Sequence, residues 1–362
     1  VNLVFLNTVP LWGGGEVWTL DSARAFAARG HDVTVMAAAD GALLERARSA
    51  GIPSIGLPRA GLARRRAAGR FRDSRRSRFP DVVVALTGRD ARLASHLRPR
   101  GGRGAVVLSR HLSRELPSRL LRRLTLGHLD LVVANSQATR AAMRRSLPWM
   151  PEDRIVTVYN PFDAEAFRAY PPRDVRRLHA VPPDAPVITV VGRLDRGKGQ
   201  EVLLRAMPHI LAELPETVLL VVGEGPEGER LAGAARDLGI ASSCRFLGYV
   251  DPVQPCYETS DVVAVPSFHE GFCYAAVEAQ GLGRPLVASR VGSLPEVMAE
   301  GKSGLLVPPG EPAPLAKALL ELLGDEERRR AMGREGTTFV EKFAPGGIYD
   351  ELERLFRGVA GS

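Results

Sequence analysis

Two doubly wound α/β domains in tandem are predicted by three features of this 362-residue chain. Short β-branched runs recur along its whole length. Stretches with apolar residues at helical spacing lie between most of them. The runs themselves are continuously apolar rather than alternating, as expected of parallel strands buried on both faces. At about 100–200 residues per domain the length suits two domains. A chain with 45% apolar and 25% charged residues is composed like a folded globular protein.

The first series of strands is predicted at Asn2–Asn7, Asp32–Ala37, Asp81–Leu86, Ala105–Ser109, Asp130–Asn135 and Ile155–Tyr159. The opening VNLVFLN lacks the basic start and long apolar core of a signal peptide and reads as the first strand. It also lacks an initiator Met, so trimming of the start stays open. Glu16–Arg29 follows as a helix. The pattern breaks at Asn160–Pro172, where NPFD and YPP mark a seam between domains 1–165 and 166–345. The second series is Val187–Val191, Thr217–Val222, Cys244–Leu247, Asp261–Val265, Pro285–Ala288 and Gly304–Val307, with helices at Glu201–Leu214 and Leu315–Leu323. The final helix, Ile348–Val359, places Ile348, Leu352, Leu355, Phe356 and Val359 on one face and could pack on either domain. Two groups of six strands predict two Rossmann-like sheets facing across a cleft, with ligands at the C-terminal strand ends.

No run of about 18 apolar residues predicts a membrane span. Three cysteines, Cys244, Cys256 and Cys273, make neither a disulfide framework nor a CxxC signature, so a reducing cytoplasm is the expected location. Charge is uneven. Residues 1–165 carry 27 Arg, no Lys and 14 acids, a net +13, and residues 166–362 carry 22 basic and 27 acidic residues, a net −5. The peak is Arg64–Arg78, with eight Arg against one Asp. It reads either as a solvated face or as a dock for an anionic membrane surface. Nucleic acid is not expected, because only Phe71 interleaves with these arginines and no nucleic-acid motif accompanies them.

Two phosphate-loop matches fail on inspection. Gly192–Gly199 nearly fits GxxxxGK[ST], yet position 199 is Gly and supplies no hydroxyl for Mg²⁺. Gly223–Gly228 fits GxGxxG, but Glu224 and Glu227 bring the wrong sign to a pyrophosphate. What remains is an anion-binding turn with Arg193 and Lys198 just past a strand end. Both are either solvated cations or a pair able to stabilise a departing diphosphate. A second cluster, SFHEGFCYAAVEA, follows the strand Asp261–Val265. There the N–H groups of Phe272, Cys273 and Tyr274 are expected to open a helix after Gly271, an arrangement that binds phosphate or hydroxyl oxygens. Glu270 and Glu278 could accept hydrogen bonds from sugar hydroxyls, although Glu278 by itself reads first as an exposed helix charge and less so beside this cluster. Gly13–Gly14–Gly15 at the end of strand one is either a tight turn or a close approach to phosphate. His111, also at a strand end, is either structural or placed to guide a hydroxyl. No DxD or His/Asp cluster implies a metal.

With these motifs in view the chain resembles the retaining GT-B glycosyltransferases of family 4 (glycosyl transferases group 1) over nearly its whole length. The resemblance is strongest from Val187 to Pro308, through GRLDRGKGQEVLLRA, VVGEGPEGERL, FLGYV, SDVVAVPSFHEGFCYAAVEAQGLGRPLVAS and GLLVPPG. Glu270 and Glu278 match the family's E-x7-E element, and Cys273 stands where a Gly is usual. The resemblance implies that Arg193 and Lys198 bind the donor diphosphate and that Glu278 holds the ribose diol. It places Glu270 with the amides of Gly271, Phe272 and Cys273 on the transferred sugar, and Gly223, Glu224 and Val250 near the base. Gly14 and Gly15 would close over the phosphates, and His111 would lie beside the reacting carbon. It further implies a final helix, 346–362, crossing back to the first domain, and retention of configuration without an obligatory metal or other cofactor. The expected donor is a UDP-sugar, and the expected acceptor a glycan or a lipid-linked hydroxyl in cell-envelope or lipopolysaccharide synthesis, in the cytoplasm or on the inner face of its membrane. The alternatives are a nucleotide-sugar epimerase of the same fold and a non-catalytic binder of anionic surfaces.

Overall fold

The computed structural model describes residues 1–58, 66, 69, 80–95, 97, 104–116 and 126–361. Apart from Arg66 and Gly69, the arginine-rich segment 64–78 lies outside the described residues. The chain divides into two compact units, Val1–Pro161 with Pro345–Ser362, and Phe162–Ala344.

The first unit is built on β1 Asn2–Asn7, β2 Asp32–Ala38, β3 Ser54–Leu57, β4 Val82–Ala85, β5 Ala105–Arg110, β6 Leu131–Ala134 and β7 Ile155–Thr157. The second is built on β8 Val187–Val191, β9 Val218–Val222, β10 Cys244–Gly248, β11 Val262–Val265, β12 Leu286–Ser289 and β13 Gly304–Val307. All pairings within both sheets are parallel.

Six and six strands were expected; the described residues form seven and six. The additional strand is β3. It is four residues long, sits at the sheet edge and fully buries only Leu57, so it lacks the continuous apolar run that marks the others. The interior strands are buried on both faces, whereas the edge strands β7 and β10 are partly exposed and were legible from their apolar runs alone. In β8, Ile188 and Val190 pack with Leu203 and Met207 on one side, while Val187 packs with Val218, Leu220 and Cys256 on the other. Each such side chain contributes about 1.5–3 kcal/mol.

The strand orders are β3-β2-β1-β4-β5-β6-β7 and β10-β9-β8-β11-β12-β13. In each unit the chain winds outward from its first strand, then returns and winds the other way. The reversal falls between β1 and β4 in one unit and between β8 and β11 in the other. At such a switch point the loops leaving the two strands diverge and open a crevice for ligands.

The seam is held by an aromatic anchor. Phe162 donates its N–H to the Phe343 carbonyl at 2.8 Å. A Cβ at Gly281 would stand 2.8 Å from the Phe162 ring. Packing therefore assigns Phe162 to the second unit. The chain then rejoins the first unit through the helix Pro345–Ala360, which buries Ile348, Tyr349, Leu352 and Phe356. Phe356 and Tyr349 meet Phe26 at ring distances of 5.4 and 5.9 Å. Arg29 donates to Asp350 and Glu353 at 2.7 and 3.0 Å.

Candidate active site

The second unit concentrates the predicted residues at its switch point. After β8 the backbone runs through Gly192–Gly199 into the helix Gln200–Glu213. After β11 it runs through Pro266–Cys273 into the helix Tyr274–Gly281. The two loops touch: Phe268 N–H donates to the Gly197 carbonyl at 2.8 Å. Gly199 has φ +68, and a Cβ there would lie 2.0 Å from the Pro266 carbonyl oxygen. Only glycine permits that approach. Gly223, after β9, is equally tight, with a Cβ position 2.1 Å from the Gly192 carbonyl oxygen.

This contact brings together two side chains that are 72 residues apart. Lys198 Nζ donates to Glu270 Oε1 at 2.8 Å, and Ser267 Oγ donates to the same oxygen at 2.7 Å. Glu270 is 6% exposed. Burial pulls the Lys198 pKa down, but Glu270 and its neighbours raise it further, so the ammonium stays charged. Cys273 completes the cluster. Burial and the Glu270 carboxylate hold its thiol well above the usual value. Its φ of +65 explains why a glycine suits this position. The helix begins two residues later than expected, at Tyr274. Phe272 and Cys273 precede it, so the first helical N–H groups belong to Tyr274 and its successors.

Glu278 is not the exposed helix charge that its sequence alone allowed. Tyr257 donates its hydroxyl to Glu278 Oε2 at 2.8 Å. Burial raises the Glu278 pKa, and the Tyr257 hydrogen bond offsets part of that. Arg193, in contrast, is exposed and, among the described residues, its guanidinium pairs with Asp195 at 3.9 Å; its carbonyl accepts from Gln200 Nε2 at 2.9 Å. Glu224 accepts the Tyr249 N–H at 3.4 Å. Val250 is half-buried against an apolar cluster with Val191 and Val253. Phe272 is likewise core, its ring 5.1 Å from that of Phe343.

In the first unit, Gly14 and Gly15 are the first two residues of the helix Gly14–Ala28, and Glu16 stands third behind Gly13. The buried Glu16 carboxylate accepts from Asn7 Nδ2 at 3.0 Å and from the Gly13 N–H, which closes the glycine turn from its third helical position, although the N-cap glycine has no side chain to return the bond. Burial, and more weakly Asp90, raise its pKa. Asp90 accepts from Thr8 at 2.5 Å and Thr87 at 2.7 Å. The turn after β1 is thus tied to the turn after β4, across that unit's own switch point. His111 follows β5, with Nε2 2.9 Å from Ser109 Oγ and its ring 4.8 Å from that of Trp18.

The sequence did not single out Glu16, Asp90, Tyr257 or Ser267. Each is an ordinary polar residue whose partner is distant in the chain or silent in any motif. It also gave no hint of the chain of ion pairs Arg196–Glu227–Arg230–Glu201–Arg205. Those pairs neutralise Glu227 and line a cavity of about 420 Å³ beside the Lys198 loop. Among the described residues, no three His, Cys, Asp or Glu side chains gather to hold a metal ion, and no helix is long and apolar enough to cross a membrane.

The arrangement supplies a cation for phosphate and carboxylates for hydroxyls at one sheet edge. Known proteins resemble the chain in sequence and fold. The family model described as Glycosyltransferase Family 4 matches residues 12–166, and that described as Glycosyl transferases group 1 matches residues 173–339. A D-inositol 3-phosphate glycosyltransferase of Corynebacterium urealyticum is 34% identical over 272 residues, 70% of this chain and 64% of its own length. That of Corynebacterium kroppenstedtii is 43% identical over 178 residues, 47% of this chain and 40% of its own length. The matches thus cover only part of those relatives. The crystal structure of Anabaena Alr3699/HepE in complex with UDP-glucose superposes with a TM-score of 0.84 at 23% identity, covering 99% of each chain.

Proposed function

The chain belongs to the GT-B glycosyltransferases of family 4, and from that premise we propose that it moves a hexose-type sugar from a nucleoside diphosphate sugar, UDP-linked, to an acceptor hydroxyl. The observation that carries this reading is the Lys198–Glu270 pair at the β8/β11 switch point. A fixed cation next to a buried carboxylate suits a sugar joined to a diphosphate. Lys198 and Arg193 would neutralise the charge that develops as the anomeric C–O bond breaks and its electron pair passes to the phosphate. Glu270 and the Gly271–Cys273 amides would hold the sugar hydroxyls, and Glu278 the ribose diol. Gly223, Glu224 and Val250 would meet the base. In the first unit, Gly14, Gly15 and His111 would serve the reacting groups.

We further propose retention of configuration, with the acceptor oxygen bonding to the face that the diphosphate leaves and its proton passing to the departing phosphate oxygen. No metal is required in this scheme. The acceptor is a glycan or lipid-linked hydroxyl of the cell envelope, used in the cytoplasm or at the inner membrane face through the basic segment 64–78. The excess positive charge of residues 1–165 favours a second acceptor class, a phosphorylated cyclitol of the kind named for the matched relatives.

A panel of UDP-, GDP- and ADP-sugars, each with and without chelator, tests the proposal. Slow hydrolysis of one donor that speeds up with an acceptor, unaffected by chelator, is the expected result. Conversion of the sugar to an isomer means an epimerase instead, and no nucleotide binding at all leaves only a surface binder.

A further inference from the structure

His111 carries a chemical signature that its position alone does not reveal. Its Nε2 lies 2.9 Å from Ser109 Oγ, whereas its Nδ1 is buried and has no hydrogen-bond partner among the described residues. The Trp18 ring, 4.8 Å away and tilted 59°, restrains the imidazole on one side. Ser109 is itself 3% exposed, and its hydroxyl has no second partner among the described residues.

Polar accounting separates the two neutral tautomers. If Nε2–H donated to Ser109, the serine proton would be stranded and so would the Nδ1 lone pair. If Ser109 donates to Nε2, every group is satisfied except one, the Nδ1–H. Buried polar groups left without partners are costly, and the arrangement with fewer of them is favoured. Burial, with Arg110 adding to it, pushes the imidazole down to about 3, so the ring carries a single N–H through the neutral range.

We infer that Ser109 is a positioning residue whose hydroxyl sets His111 as the Nδ1–H tautomer, a neutral hydrogen-bond donor reserved for an oxygen of a bound substrate. This rests on the reading of the protein as a sugar-nucleotide transferase only for the identity of that oxygen, a sugar hydroxyl or a phosphoryl oxygen. It assigns His111 the work of donating to a ligand oxygen and excludes it as the base that takes the acceptor's proton, because its one free ring position already holds a proton.

The tautomer is measured without any turnover. Protein labelled with ¹⁵N-histidine, with the His111 signals identified by their loss in His111→Gln, is expected to show a pyrrole-type Nδ1 and a pyridine-type Nε2. The reverse pattern overturns the inference whatever the enzyme's activity. Adding UDP and UDP-glucose separately is expected to move the Nδ1–H resonance. A shift with both points to a phosphoryl oxygen, a shift with UDP-glucose alone to a sugar hydroxyl, and no shift with either, despite bound nucleotide, removes the ligand role. Ser109→Ala is expected to lower kcat about tenfold, less than the roughly 10²–10³-fold loss when an aligned donor is removed outright, with little change in KM and a mixture of tautomers; Ser109→Thr, which keeps the hydroxyl, is expected to restore both. Unchanged kcat and an unchanged tautomer in Ser109→Ala reject the positioning role.

Discussion

Lys198 and Glu270 share one hydrogen bond of 2.8 Å across the loops that leave β8 and β11, and Ser267 bonds to the same carboxylate oxygen. Glu270 is buried while Lys198 is about one-third exposed, so the ammonium is the accessible member of the pair. A phosphate oxygen can therefore be met by a cation already held in place.

Lys198→Ala is expected to lower donor turnover at least 100-fold, the scale of losing one charge-stabilising group. It also leaves a buried carboxylate short of its cation, at a cost of about 2 kcal/mol. Arg193→Ala, at an exposed side chain, is expected to lose turnover with stability changed by less than about 0.5 kcal/mol. Steady-state rates and urea melts of both variants separate the two effects; near-normal turnover in either removes that residue from the diphosphate site.

Glu278 holds a charge that the fold would rather neutralise. Its pKa is raised, so the folded state binds the proton more tightly than the unfolded chain. Stability is then gained as pH falls through the raised folded value, and the ionised carboxylate opposes folding at neutral pH. Glu278→Gln keeps an acceptor for Tyr257 and removes the charge. It is expected to raise Tm while weakening nucleotide binding by about 1–3 kcal/mol. A lower Tm, or an unchanged Kd by calorimetry, contradicts this account.

Glu16 closes the glycine turn and caps the fully buried Asn7 amide. Glu16→Ala is expected to cost about 2 kcal/mol, combining the lost acceptor for the Gly13 N–H with one of the two Asn7 amide hydrogen bonds, Thr19 keeping the other. Glu16→Gln retains one of the two acceptor oxygens and is expected to cost about 1 kcal/mol. Equal losses for the two in denaturant melts would show that the charge, not the hydrogen bond, is what the turn uses.

His111 has a folded pKa of about 3, against about 6.5 when unfolded. Between those values the unfolded chain binds the additional proton, so stability rises with pH and is lost on acidification. The slope from this one residue is at most about 1.4 kcal/mol per pH unit. The difference between the stability profiles of the parent and His111→Gln is expected to grow as pH falls from about 6.5; parallel profiles would mean that the ring titrates normally.

The strands were legible because burial on both faces writes continuous apolar runs into the sequence. Only β3 escaped, being short, at an edge and half-exposed. Helix ends were legible to within a few residues, though the positive φ of Cys273 delayed the start at Tyr274. Of the site, Lys198, Glu270 and Glu278 were marked by their turns and spacing. Tyr257 and Ser267 were invisible as partners, because a hydroxyl in an ordinary helix or loop announces nothing until a carboxylate is folded against it.

By itself the sequence determined the two α/β units, their strand-bearing segments and the loops that carry charge and glycine, since periodicity and turn chemistry are local properties. The tertiary structure decided which of those loops meet. Strand order is set by the winding of the chain around β1 and β8, and that winding, rather than any neighbouring residue, places Lys198 on Glu270, Thr8 on Asp90 and Tyr257 on Glu278. Contacts between segments tens of residues apart leave no periodic trace, so their hydrogen bonds and shifted protons emerge only when the sheets close.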